Sequence, residues 1–78
     1  MAPMRLLAHH GTSITVEIDG VAHQLNTLWR HYYKPLGWLL RTEVQRWELD
    51  DLQSVRLERP TLPRVFTPLG PWRVVDKR

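Results

Sequence analysis

This chain predicts an all-β or β-dominated domain, a small half-open barrel of the SH3-like or OB-like kind with about five or six strands and at most one short helix. Three observations carry that expectation. Two alternating apolar runs flank Asp19-Gly20. The sequence Pro-Leu-Gly occurs twice, at 35–37 and 68–70, each time between an aromatic residue and a tryptophan. Four prolines (Pro60, Pro63, Pro68 and Pro71) crowd the segment 59–71. All three are turn or edge chemistry rather than helix chemistry.

A chain of 78 residues makes one domain, 1–78. At this length only about 60–65% of the unfolded chain's surface is buried, and small folds lean on disulfides, a metal or a partner. Cysteine is absent, which excludes disulfides and thiolate metal sites. Packing of large rings, or oligomerisation, is left to supply stability. The absence of cysteine also suits a reducing cytosol. The only apolar run near the start is Leu6-Leu7-Ala8, far short of the roughly 7–15 residues of a secretory h-region or the ~20 of a membrane span. The expectation is a soluble, cytoplasmic protein with no membrane contact.

In chain order, residues 1–12 read as a loose arm or a short edge strand over Met4–Ala8. Next, Ser13-Ile-Thr-Val-Glu-Ile18 and Val21-Ala-His-Gln-Leu25 alternate about Asp19-Gly20, the dipeptide that a type I′ turn favours at its two positive-φ positions. In that register Ile18 faces Val21, Val16 faces His23 and Ile14 faces Leu25. All six share one face.

The segment 27–33 is ambiguous. Leu25, Leu28, Trp29 and Tyr32 fall on one helical stripe with Asn26 or Thr27 as a cap. As a strand, its β-branched and aromatic content fits equally well. Residues 38–48 pose the same choice, and context favours strand: Asp50-Asp51-Leu52 before Val55-Arg-Leu57 looks like strand, tight turn, strand. Each Pro-Leu-Gly plausibly reverses the chain, with Pro at i+1 and Gly at i+3 of a turn. The tail 59–71 is an edge or surface segment, because proline cannot donate to a ladder. Trp72, Val74 and Val75 offer a last strand. The competing architecture is a winged helix-turn-helix (α+β), with helices over 27–33 and 38–48 and a wing over 54–75.

Leu28–Leu49 holds three of the four tryptophans and both tyrosines beside Arg30, Lys34, Arg41 and Arg46. Rings of this size bury the most area per residue, so the segment is expected to supply much of the core, including two or three of the tryptophans. Rings beside arginines also make stacking platforms for nucleic acid. Trp29, Trp38 and Trp47 are nine apart, an odd step that alternates faces on a strand, so they cannot all point one way. Residues 30–78 carry the positive charge, and nine of the eleven cations are arginine, which suits bidentate contacts to phosphate. A GC-rich genome produces the same bias through codon usage. Interleaved acids (Glu43, Glu48, Asp50, Asp51, Glu58) also fit cross-strand pairs on a solvated face.

His9, His10, His23 and His31 lack metal-ligand spacing. Glu48, Asp50 and Asp51 resemble the carboxylate set of a nuclease, but turn aspartates bond their own backbone. No phosphate loop, nucleophile elbow or cofactor motif is present. The Pro-x-x-Pro in Arg59–Arg64 reads as an extended edge that packs Leu62. These patterns point to a non-catalytic accessory protein without cofactor or metal. It binds nucleic acid non-specifically through Arg30, Lys34, Arg41, Arg46, Trp29 and Trp38. The alternative is a protein-binding adaptor or inhibitor, homo-oligomeric in one form, that uses its aromatic and Pro-rich surface.

Overall fold

The computed structural model describes residues 4–50, 52–64 and 67–75. Seven strands follow one another: β1 (Met4–His9), β2 (Ile14–Ile18), β3 (Val21–Leu25), β4 (Leu28–Leu36), β5 (Leu40–Asp50), β6 (Gln53–Thr61) and β7 (Arg73–Val75). They form two antiparallel meanders, β1-β2-β3 and β4-β5-β6-β7. Only Asn26-Thr27 separates the two sheets, and the Glu48 N–H donates to the Thr27 carbonyl (2.8 Å) across that junction. β1 touches β7 at one flank and β3 touches β5 at the other, so both sheets wrap one core. The small β-dominated fold expected from the turn chemistry is the one observed.

The β2–β3 hairpin has the expected register, Ile14 to Leu25, Val16 to His23 and Ile18 to Val21. Its turn residues Asp19 and Gly20 both have positive φ, 53° and 79°, as a type I′ turn requires. Ile14, Val16 and Leu25 from this sheet pack against Trp47, Val55 and Leu57 from the other, and Leu6, Leu49, Trp72 and Val74 close the sides. Trp47 is fully buried, and its indole N–H donates to Gln45 Oε1 (3.1 Å). This bond satisfies the one polar atom that burial of the ring strands.

The winged-helix alternative is overturned: among the described residues no helix occurs, and 27–33 and 38–48 lie in the β4–β5 hairpin and its approach. β5 has hydrogen-bonded neighbours on both sides, β4 and β6. A helical stripe of four residues cannot match a backbone satisfied along its whole length. Two further expectations shift. Among the described residues seven strands stand where five or six were expected: of the two readings of the N-terminal segment the edge strand holds, with Met4–His9 paired to β2, and the last short strand expected near Val74 pairs with β6. The Leu28–Leu49 segment gives less to the core than its rings suggest, since β4 is an edge strand and Trp29 and Trp38 are exposed.

The chain reverses over Gly37-Trp38-Leu39, not at Pro35. Pro35 stays in β4 opposite Arg41, and Gly37 takes a φ of 64°. The second Pro-Leu-Gly makes no comparable hairpin. Pro68 forms a single bridge to Thr61, and the Leu69 N–H donates to the Pro60 carbonyl (2.9 Å); Phe66, which precedes it, lies outside the described residues. Pro60 itself occupies β6 beyond the reach of β7, which pairs only with Arg56–Glu58, so its missing donor breaks no ladder.

Replacing the one tryptophan shared by both sheets tests this packing. Trp47→Ala is expected to lower the unfolding free energy by about 3–5 kcal/mol, read as a shift in the urea midpoint at unchanged slope. In a domain this small, that leaves a large fraction unfolded at 37 °C.

Candidate nucleic-acid interface

Strand alternation divides the side chains of β4–β7 between two faces. Trp47, Val55, Leu57 and Val74 face the first sheet. The opposite, outer face presents Arg30, Tyr32 and Lys34 from β4, Thr42, Val44, Arg46 and Glu48 from β5, Ser54, Arg56, Glu58 and Pro60 from β6, and Arg73 and Val75 from β7, by register. It carries five cations against Glu48 and Glu58.

One row across this face is unusual. Arg30 lies directly opposite Arg46, and Arg46 directly opposite Arg56. Like charges opposite one another destabilise a sheet. Only Arg56 gains an internal carboxylate: it pairs with Glu58, which also receives Lys34 at 3.4 Å. Among the described residues Arg30, Arg46 and Arg73 meet none. The Nε atoms of Arg46 and Arg56 are buried without a hydrogen-bond partner, although a guanidinium N–H out of water is costly when unmet. Arg30 instead stacks over Tyr32 (4.9 Å), and Arg46 sits over Trp29 (5.7 Å).

A bulge between Leu28 and Arg30 creates the second contact. An extra residue in one strand re-aims the neighbouring side chain, and here it brings Trp29, 59% exposed, beside Arg46. Compared with family models, with curated proteins and with solved structures, the chain finds no match. The reading of this face therefore rests on its chemistry.

Of the six residues singled out in sequence, the structure gathers Arg30, Lys34, Arg46 and Trp29. It separates the other two. Arg41 pairs with Pro35 and Thr61 on the odd-numbered, inward side of the sheet, and Trp38 stands fully exposed at the tip of the β4–β5 hairpin. The face also gains Arg56 and Arg73. A two-residue turn at 51–52 by itself would set Arg46 opposite Leu57; the irregularity between Glu48 and Asp50 shifts the register by one and brings Arg56 opposite Arg46. Nothing in the sequence signals that shift or that β7 aligns Arg73 with Glu58.

The inward face beyond the apolar core holds a closed polar network around Glu43, whose side chain is 6% exposed. It accepts from Arg59 Nε (2.7 Å), His31 Nε2 (2.7 Å) and Tyr33 Oη (3.3 Å). Burial alone would raise the Glu43 pKa, but the hydrogen bonds and charges of Arg59 and His31 outweigh it and hold the carboxyl below its ordinary range. Glu58 is likewise depressed: burial opposes, and Arg56 and Lys34 prevail. Desolvation, then the charge and hydrogen bond of Glu43, push the Tyr33 phenol up. Nearby, His9 stacks on Trp72 at 5.2 Å and bonds Gln45 at 2.9 Å, while Arg59 covers the other ring contact of Trp72 at 4.1 Å.

Asp50 Oδ1 accepts from the Leu52 and Gln53 N–H groups (2.9 and 3.0 Å), the turn chemistry expected of it; Asp51 lies outside the described residues. Among the described residues no group of three or more His, Cys, Asp or Glu is arranged to hold a metal ion.

Both depressed carboxylates stabilise the fold in their ionised form. Their contribution is complete above the ordinary carboxyl value of 4.5 and is lost as pH falls through the lower folded-state values. The urea midpoint is thus expected to drop on acidification below about pH 4.5. Glu43→Gln should cost about 1–3 kcal/mol at pH 7 and much less at pH 3. Equal costs at both pH values would show that Glu43 contributes nothing through its charge.

Proposed function

We propose that this chain is a small, non-catalytic accessory protein of the cytoplasm. It binds nucleic acid without sequence preference by laying the outer face of β4–β7 on a phosphate backbone. The observation that supports this reading is the Arg30–Arg46–Arg56 row, in which Arg30 and Arg46 meet no carboxylate among the described residues. An anionic oxygen set between guanidinium groups turns mutual repulsion into charge-assisted hydrogen bonds. Arginine is the side chain suited to that task, because its fork meets phosphate oxygens bidentately. Lys34 and Arg73 extend the charge along the same face. Base specificity is not expected from a flat sheet that reads no groove, whereas counterion release gives affinity to any sequence.

A second reading has its own observation. Leu36, Trp38 and Leu39 at the β4–β5 tip are all exposed, Trp38 completely. A convex apolar knob of this kind fits a pocket on a protein partner or on a second copy of the chain, as an adaptor or inhibitor would use it.

Fluorescence anisotropy with a labelled oligonucleotide between about 50 and 200 mM salt checks the first reading, since log K should fall with log [salt] by about 0.7–0.9 per phosphate contact. Arg46→Gln is expected to weaken binding to every sequence and to reduce the slope by roughly one contact. It should also raise folding stability by about 0.5 kcal/mol, because a like-charge pair is removed. Arg41→Gln, on the other face, should leave binding unchanged. No binding at about 50 mM salt rejects the proposal. For the second reading, Trp38→Ala should abolish any self-association seen by light scattering, as loss of a central aromatic costs about 2 kcal/mol or more.

A further inference from the structure

The outer face is not uniformly flat, and its two recesses narrow the class of ligand. At one end a recess of about 580 Å³ is lined by Lys34, Thr42, Glu58, Pro60, Pro71 and Arg73, with Lys34 paired to Glu58. At the other end a recess of about 280 Å³ is lined by Trp29, Arg46, Glu48, Asp50, Leu52 and Ser54. The arginine row runs between them. Thr42 and Glu48 stand six residues apart on β5, about 20 Å at the rise of a strand.

We infer that the outer face takes single-stranded nucleic acid in preference to duplex, with one base in each recess and the intervening phosphates on the arginine row. This rests on the reading that the face binds a phosphate backbone. Each recess pairs a ring-sized surface with a cation at its rim. In the smaller one Trp29 is 59% exposed, and Arg46, whose guanidinium sits over that ring, is placed to hold the adjoining phosphate. Glu48 and Asp50 sit where they would repel a phosphate, so a base and not the backbone would enter there. In the larger one the proline rings of Pro60 and Pro71 form apolar walls, and Lys34 and Arg73 supply the charge. Its volume falls in the range of roughly 300–1,000 Å³ typical of small-molecule sites.

A duplex keeps its bases stacked inside, so it brings neither recess a ring and sets its phosphates against Glu48. A single strand unstacks at little cost and uses both. The span suits a strand of about four nucleotides, the small end of the range for open-groove binders.

Three probes separate the outcomes at about 50 mM salt: a single-stranded octamer, the same octamer as duplex, which carries twice the phosphates, and a single-stranded octamer with abasic sites. The single strand is expected to bind at least tenfold tighter than the other two. Trp29→Ala should remove about tenfold from single-strand binding, in line with the stacking of one base, and leave duplex binding unchanged. Trp29 is exposed, so this variant keeps its fold. In a Trp38→Phe background, the single strand should also quench emission more strongly than the abasic strand. Equal affinity for all three probes overturns this inference and leaves backbone binding intact. Binding to none of them at low salt overturns both.

Discussion

Trp47 is the point at which two separate meanders become one structure. Among the described residues the one backbone hydrogen bond between the sheets is that at Thr27 and the one side-chain hydrogen bond is His9–Gln45, so apolar contact is the main tie, and the largest buried side chain in it is this indole. Each sheet by itself would leave one apolar face in water. Closing Ile14, Val16 and Leu25 over Trp47, Val55 and Leu57 gives both sheets a covered face. The Gln45 amide meets the indole N–H and also His9, which stands edge-on to the same ring. The tryptophan is thereby held in place as well as buried.

That arrangement makes β5 serve two unlike environments. Its odd positions descend from the apolar core at Trp47 through Gln45 to Glu43, where burial is tolerated because every acceptor is met by a charged or aromatic donor. Its even positions point away from the core and carry Arg46 between two other arginines. The contrast is informative. Where the chain buries charge for structure, it satisfies it; where it lines up arginines on the outer face, it leaves donors unmet.

Much of the fold was legible before any coordinates. Asp19-Gly20 between alternating runs dictated a hairpin with a single allowed register, because both turn residues need positive φ and the apolar side chains must share a face. The acidic turn at 50–52 was readable for a similar reason: Asp50 caps its own backbone. The helix-or-strand choice over 27–33 was not readable, and over 38–48 only the acidic turn and the run after it favoured strand. Local periodicity there is balanced, and the decision comes from β6, which satisfies the second edge of β5 only if β5 is extended. The Pro-Leu-Gly echo misled for the same kind of reason: identical tripeptides reverse the chain or cross a strand end according to what lies beside them.

For the candidate site, the sequence by itself determined the ingredients: an arginine-rich chain without cysteine, rings close to cations, and the parity that sets Arg46 and Trp47 on opposite faces. Only the tertiary structure decided the grouping. Whether two arginines adjoin depends on inter-strand register, and a single bulge at Leu28–Arg30 is enough to carry Trp29 to Arg46. Arg41 and Trp38 are as near in sequence as the others, yet parity sends one inward and the hairpin tip holds the other away. Cross-strand neighbours are separated by many residues in the chain and by about 5 Å in space. No reading of local spacing recovers that distance.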